Sequence, residues 1–262
     1  MQVSDFLRDF YLSHNEDQRL RPKHGQVEYL TSMRYIEKYL RPGMRILEIG
    51  AGTGAYSLAL ARQGYQVDAV ELIEHNLDLF RQKLEADLKL RLYQANALDL
   101  SIFPDEQFDL VLSLGPMYHL YSQADQLRAL SEALRITKTK GLLFVAYCIA
   151  DASILTHGFV RGQIFELFEK GLLDRQNYQA YSTPAEVFQL YRKEQIDELM
   201  SHFATERLHY VATDLLSHVL RDSIDSMSDE LFNEYLAYHF SVCERPDMVG
   251  LTNHSLDIVR KL

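Results

Sequence analysis

The chain is short of the residues that staple small secreted or zinc-bound folds. Its 262 residues include two cysteines, Cys148 and Cys243, which lack metal-ligand spacing. A disulfide scaffold is therefore not expected, and neither is a zinc site or any other metal. The low count suits a reducing cytoplasm, where the protein is expected. Long apolar runs are missing as well. The longest, residues 141–150, falls far short of the roughly 20 residues that cross a bilayer as a helix. The segment Met1-Gln2-Val3-Ser4-Asp5 carries no basic flank before an apolar core, so no secretory leader is read. Basic charge is scarce too: 27 Lys and Arg stand against 37 Asp and Glu, a net charge of -10. A broad electropositive face is not expected, and a nucleic-acid partner is disfavoured with it. The local basic runs, Arg19-Arg21-Lys23-His24 and then Arg34, Lys38, Arg41 and Arg45, read as a solvated helix face. Internal repeats and low-complexity segments are absent.

Apolar residues make up 47% of the chain, enough for a sizeable core. Strand-like runs cover 45–49, 66–70, 90–94, 108–114 and 142–148. Between them lie helical patterns at 56–63, 74–89 and 122–137, preceded by another at 26–40. Strand and helix in alternation predict a parallel sheet covered on both faces. The rhythm then changes. Residues 150–204 are helical in pattern with no convincing strand. A strand is expected at 206–213, helix again over 215–248 with Ser228 as an N-cap, and a last strand at 254–259.

The stretch from Arg45 to Ala61 organises all of this. It reads as strand, glycine turn and helix, the entry to a nucleotide-binding unit. Gly50, Gly52 and Gly54 let the backbone turn sharply and approach a ligand. Two glycine readings overlap. Gly50-x-Gly52-x-x-Ala55 fits a dinucleotide fingerprint, while Gly50-x-Gly52-x-Gly54 with Glu48 ahead fits another pattern. Glu71, ending the second strand, could serve ribose hydroxyls in either. These features leave NAD and S-adenosylmethionine (SAM) both open.

Leu47-Glu48-Ile49-Gly50-Ala51-Gly52-Thr53-Gly54 resembles motif I of the class I SAM-dependent methyltransferases. Asn96-Ala97-Leu98-Asp99 resembles the family's adenine-contact motif, and 108–115 its fourth strand. Leu114-Gly115-Pro116-Met117-Tyr118-His119-Leu120 is similar to a bacterial subgroup of small-molecule-type enzymes. The resemblance covers residues 26–148 well. It implies a Rossmann-like α/β fold of three layers, with a seven-stranded, mostly parallel sheet whose last strand is antiparallel. It implies SAM as methyl donor and S-adenosylhomocysteine as product. Gly50, Ala51, Gly52 and Gly54 would form the loop against the amino-acid part of SAM, with Glu48 orienting it. Glu71 would hold the ribose diol, Leu72 would pack on adenine, and Asn96 with Ala97 would meet its edge. Ser113 and Leu114 would line the methionine end. Many members carry Asp where Asn96 stands. Asn96 as a simple turn cap is the plainer alternative.

The helical blocks, read as insertions over the sheet's ligand edge, and the resemblance together give an expected organisation. One methyltransferase domain would fill 1–262, with an N-terminal lid over 1–25, a SAM-binding core at 26–149 and cap insertions at 150–204 and 215–249. Closing strands would lie at 205–214 and 250–262. Methyl transfer needs no fixed catalytic signature, and none stands out. Tyr118 and His119 are the catalytic candidates, one orienting an acceptor and the other acting as base. The plainer alternatives are packing for Tyr118 and a bond to a backbone carbonyl for His119. Tyr11 and Tyr29 are candidates for the lid. Phe159, Phe165 and Phe168 form a helical stripe that reads as cap core, and His239 and His254 have no nameable partner. A small-molecule acceptor under the cap is the leading reading. Its rivals are an RNA or protein methyltransferase, an NAD-dependent oxidoreductase and a non-enzymatic SAM-binding protein. Sequence alone does not separate a monomer from a homodimer.

Overall fold

The computed structural model describes residues 3–14 and 16–262. Residues 1, 2 and 15 of the expected lid lie outside the described residues. The chain opens with α1 (Val3–Ser13) and α2 (Lys23–Tyr39). It then alternates β1 (Arg45–Ile49), α3 (Ala55–Arg62), β2 (Gln66–Glu71), α4 (Glu74–Arg81), β3 (Leu90–Gln94), β4 (Phe108–Ser113), α5 (Gln123–Ile136) and β5 (Thr137–Ile149). After β5 come α6 (Ala150–Ser153), α7 (Ile164–Glu169), the short β6 (Leu190–Tyr191) and α8 (Lys193–Ser201). The chain closes with β7 (Thr205–Ala212), α9 (Arg221–Asp225), α10 (Asp229–Val242) and β8 (His254–Lys261).

The sheet runs β3-β2-β1-β4-β5-β8-β7, with β6 paired to β5 off that path. The first five strands are parallel, and β8 is antiparallel to both β5 and β7. The expected seven-stranded sheet with its antiparallel last strand is present, and β6 adds a two-residue strand within the segment read as purely helical. Strand order reverses between β1 and β4. A crevice opens beyond the carboxyl ends of such strands, where ligands of doubly wound folds bind.

Two apolar layers clasp the sheet, and β5 shows why. Leu142, Phe144, Ala146 and Cys148 face the layer holding Ile36 and Leu60. Leu143, Val145, Tyr147 and Ile149 face the layer holding Leu130 and Ile196. Period-two alternation of apolar side chains on both faces is what a central, doubly covered strand requires.

Three further elements differ from the sequence expectation. Helix α4 stops at Arg81, because residues 82–89 supply little apolar surface to bury and Leu84 is exposed. Strand β5 starts five residues early, at Thr137, which pairs with Phe108 before a register shift. Finally, the Phe159–Phe168 stripe does not form cap core. A π-helical turn, Ile154–Val160, and the left-handed Gly162 break the helix between its members. Phe159 and Phe165 are exposed, and Phe168 alone packs on a buried cluster.

Candidate cofactor and acceptor site

Strand β1 delivers its carboxyl end into the glycine loop, and each glycine there has a separate reason. Gly50 is left-handed, at φ 71°, and a Cβ on it would lie 2.8 Å from Pro116 Cδ, so the loops after β1 and β4 can touch. Gly54 is the left-handed N-cap of α3, and its Cβ would fall 2.4 Å from the buried Phe80 ring. Gly52 has no such neighbour. Its Cβ would reach only Glu16 Cγ, at 3.7 Å.

Two carboxylates fix this loop from behind. Glu48 is buried in β1 and accepts from the Ser57 amide at 2.9 Å and from the Ser57 hydroxyl, pinning the first turn of α3. Burial pushes its carboxyl up to about 8. Glu71, at the end of β2, accepts from the Gly52 amide at 2.7 Å through Oε2 and from the Ile73 amide at 2.8 Å through Oε1. Burial raises its pKa despite those bonds.

The N-terminal segment crosses the loop. Lys83 donates to the Thr53 carbonyl at 2.9 Å and to Asp17, and the Thr53 hydroxyl donates to Asp17 at 3.2 Å. The Lys83 hydrogen bond is the main reason that Asp17 titrates below the usual carboxylate range. Leu7 of α1 is buried in a small cluster with Ile73 and Val187, against which Phe10 and Tyr11 pack. Sequence reading missed the Asp17–Thr53–Lys83 latch. Its members lie on three separate segments, with no shared motif to betray them.

Beneath this N-terminal segment lies a cavity of about 1250 Å³. Its wall includes Glu48, Gly50, Ala51, Gly52, Glu71, Leu72, Asn96, Ala97 and Leu114. Tyr11, Tyr118 and His119 line it too, with further walls from the segments between β5 and β7. Gly54 and Ser113 stand behind the wall, one against Phe80 and the other paired with Ile49 inside the sheet. Tyr29 also packs away from the cavity, tilted against Tyr56 with ring centroids 5.1 Å apart. Asn96 accepts from the Leu98 amide at 3.0 Å, closing its own turn while lining the cavity.

His119 Nδ1 lies 2.9 Å from the Val187 carbonyl, and Nε2 lies 3.0 Å from the Tyr11 hydroxyl. A carbonyl only accepts, so Nδ1 carries the proton and Nε2 accepts from Tyr11. Burial pushes His119 down to about 4, which keeps it neutral. Tyr118 is buried beside His254, with ring centroids 5.7 Å apart. Burial raises its phenol well above the usual range.

Residues 47–145 match a methyltransferase domain family. Over that stretch, from β1 into β5, the chain is a SAM-dependent methyltransferase domain. The chain is 36% identical over 104 residues to a demethylmenaquinone methyltransferase of Clavibacter sepedonicus, across 39% of this chain and 40% of that protein. It therefore spans two fifths of that relative's length. A ubiquinone biosynthesis O-methyltransferase of Coxiella burnetii is 24% identical over 190 residues, covering 72% of this chain and 76% of the relative. A SAM-dependent methyltransferase of Thermotoga maritima, described as a possible histamine N-methyltransferase, has the same fold. Its TM-score is 0.62 at 19% identity, with 100% of each chain covered.

The methyltransferase family's cofactor is SAM, and the residues present suit it. The open side of Gly52 is a cradle that a Cβ would begin to fill. Glu71 offers a buried carboxylate whose oxygens keep lone pairs for a vicinal diol. Leu72 is 37% exposed on the cavity wall, an apolar surface that a flat ring can cover. Among the described residues no helix is long and apolar enough to cross a membrane.

Proposed function

We propose that this methyltransferase moves the SAM methyl group to a small molecule enclosed beneath the segments between β5 and β7, which act as a cap. The observation that carries the reading is the continuity of the cavity. It runs from the glycine loop to residues such as Ile154, Leu167 and Tyr181 without interruption. Its volume of about 1250 Å³ exceeds the roughly 300–1,000 Å³ of an ordinary single-ligand pocket. Room is left for an acceptor beside the cofactor. The quinone-pathway names of two relatives agree with a small acceptor.

In this reading the loop Gly50–Gly52 receives the amino-acid part of SAM, Glu71 the ribose, Leu72 an adenine face, Asn96 with Ala97 its edge and Leu114 the methionine end. Gly54, Glu48 and Ser113 position that set from behind. When bound, SAM supplies a methyl group already activated on a sulfonium. The chain's own task is alignment and exclusion of water. The strap formed by residues 3–14 and 16–21 closes one side, held by the Asp17–Thr53–Lys83 latch, and Tyr11 closes another through His119. His119 is a positioning residue while Tyr11 occupies its Nε2, and it becomes a base only when the strap lifts. Tyr118 presents its ring to the acceptor space.

The test supplies methyl-labelled SAM with separated small-molecule, RNA and protein fractions. Label in the low-mass fraction supports the proposal. Label confined to RNA or protein overturns the small-acceptor assignment.

A further inference from the structure

A second cluster lies at the inner end of the same cavity, apart from the cofactor loop. Glu28 comes from α2, Asp214 and His218 from the turn after β7, and His254 opens β8. One ligand atom from each lies within 4.8 Å of every other. Asp214 uses the two sides of its carboxylate differently. Oδ1 accepts from the Thr252 hydroxyl at 2.6 Å and from the amides of Asn253 and His254 at 2.9 and 3.0 Å. That fixes the carboxylate, and Oδ2 then faces the imidazoles. It lies 2.7 Å from His254 Nδ1 and 3.3 Å from His218 Nε2. Glu28 Oε2 lies 3.5 Å from the same His254 nitrogen and accepts from Arg19 at 2.7 Å.

One atom in this group is unsatisfied. His218 Nε2 is buried and makes no aligned hydrogen bond, although Asp214 is near. A buried imidazole nitrogen without a partner is costly. Two imidazole nitrogens and two carboxylate oxygens form a donor set for a divalent ion of the zinc class. A tetrahedral ion with ligands near 2.0–2.1 Å holds them roughly 3.4 Å apart. Three of the six separations, 2.7, 3.3 and 3.5 Å, bracket that figure and the others stay within 4.8 Å, so side-chain shifts would complete the site.

We propose that Glu28, Asp214, His218 and His254 bind one divalent transition-metal ion of the zinc class on the inner wall of the cavity. His218 and His254 both line the cavity, so the ion faces the space for the acceptor. Without metal, the 2.7 Å contact from His254 Nδ1 to Asp214 Oδ2 holds a proton, since the carboxylate only accepts. The ion would take the place of this proton, which leaves to solvent. Arg19 stays on Glu28, whose carboxylate has lone pairs for both partners. Local spacing could not reveal the set, since its four members come from distant parts of the chain.

The experiment uses the full chain stripped with a chelator. Zinc(II) is titrated by calorimetry in buffers of different ionisation enthalpy, and cobalt(II) is added separately to record its visible spectrum. The expected result is one zinc per chain, proton release on binding, and the intense cobalt absorption of a four-coordinate site. His218→Ala should weaken zinc binding by at least about tenfold, as losing even an outer partner of a metal ligand does. Its melting temperature without metal is the folding control: His218 packs edge-on against His24 and His254 and lies 3.3 Å from Asp214, so a small shift with the chain still folded is expected. Glu28→Gln provides a second variant. Absence of saturable binding to the unaltered chain overturns the site, as does zinc affinity in both variants equal to that of the unaltered chain. None of these readouts requires SAM or turnover, so their failure is separable from failure of the methyl-transfer reading.

Discussion

Gly52 and Gly54 lie two residues apart, both left-handed, at φ 53° and 89°, yet alanine should do different things at each. At Gly54 the new Cβ would sit 2.4–2.6 Å from three atoms of the Phe80 ring, which is fully buried. The left-handed backbone costs a non-glycine residue about 1–2 kcal/mol, and overpacking a filled core costs about 1–3 kcal/mol more. Gly54→Ala should therefore lose about 2–5 kcal/mol, a large part of the roughly 5–15 kcal/mol that holds a domain folded. Gly64 is the matched control. Its φ is 91° and nothing lies within 4 Å of its would-be Cβ, so Gly64→Ala should lose only the backbone part, about 1–2 kcal/mol. Gly52→Ala should likewise lose about 1–2 kcal/mol in stability, but its Cβ enters the cradle and should cut SAM affinity more than tenfold. Stability would be read by urea unfolding followed by far-ultraviolet circular dichroism, because the chain has no tryptophan. Equal losses for Gly54→Ala and Gly64→Ala would refute the packing argument. Unchanged SAM affinity in Gly52→Ala would refute the cradle.

Other outcomes follow from the same loop. Glu71→Ala removes an acceptor expected to hold ribose and also frees the Gly52 amide, so SAM affinity should fall by about ten- to a hundredfold, at 1.5–3 kcal/mol per charged hydrogen bond; calorimetry with Glu71→Gln as the milder change would check it. Glu48 titrates near 8 in the folded protein, above its unfolded value of 4.5, so the folded state binds the extra proton between these pH values. Stability should therefore be fullest below about pH 4.5 as far as this group goes, and fall by up to a few kcal/mol as pH rises towards 8. Glu48→Gln keeps an acceptor for Ser57 and should flatten that slope in unfolding curves taken at several pH values. Lys83→Met unfastens the strap from Asp17 and Thr53; SAM should dissociate several-fold faster in stopped-flow displacement while urea stability changes by less than about 1 kcal/mol.

The part of the fold from β1 to β5 was readable because its signals are local. Apolar runs of four to six residues, a glycine turn and amphipathic helices each declare themselves within one window. The turn after β1 and the place of Glu71 at the end of β2 were readable for the same reason. What escaped depends on contacts between distant segments. Strand β6 is two residues long and exists through its pairing with β5. The early start of β5 depends on Phe108, and the left-handed Lys140 that follows carries no sequence mark. Around the site, Tyr11 and His119 meet across 108 positions. His239, without a nameable partner in sequence, bonds Thr31 at 2.9 Å across 208. The phenylalanine stripe misled because helical spacing was assumed through a π-helical turn and a left-handed glycine.

The most direct test is ligand-dependent thermal unfolding of the full chain with SAM, S-adenosylhomocysteine or NAD. A true ligand stabilises the native state by about 2.7 kcal/mol at a hundred times its Kd. The account predicts a clear rise in melting temperature with SAM and S-adenosylhomocysteine, reduced in Gly52→Ala and Glu71→Ala, and none with NAD. Stabilisation by NAD alone, or by neither SAM form, would contradict it.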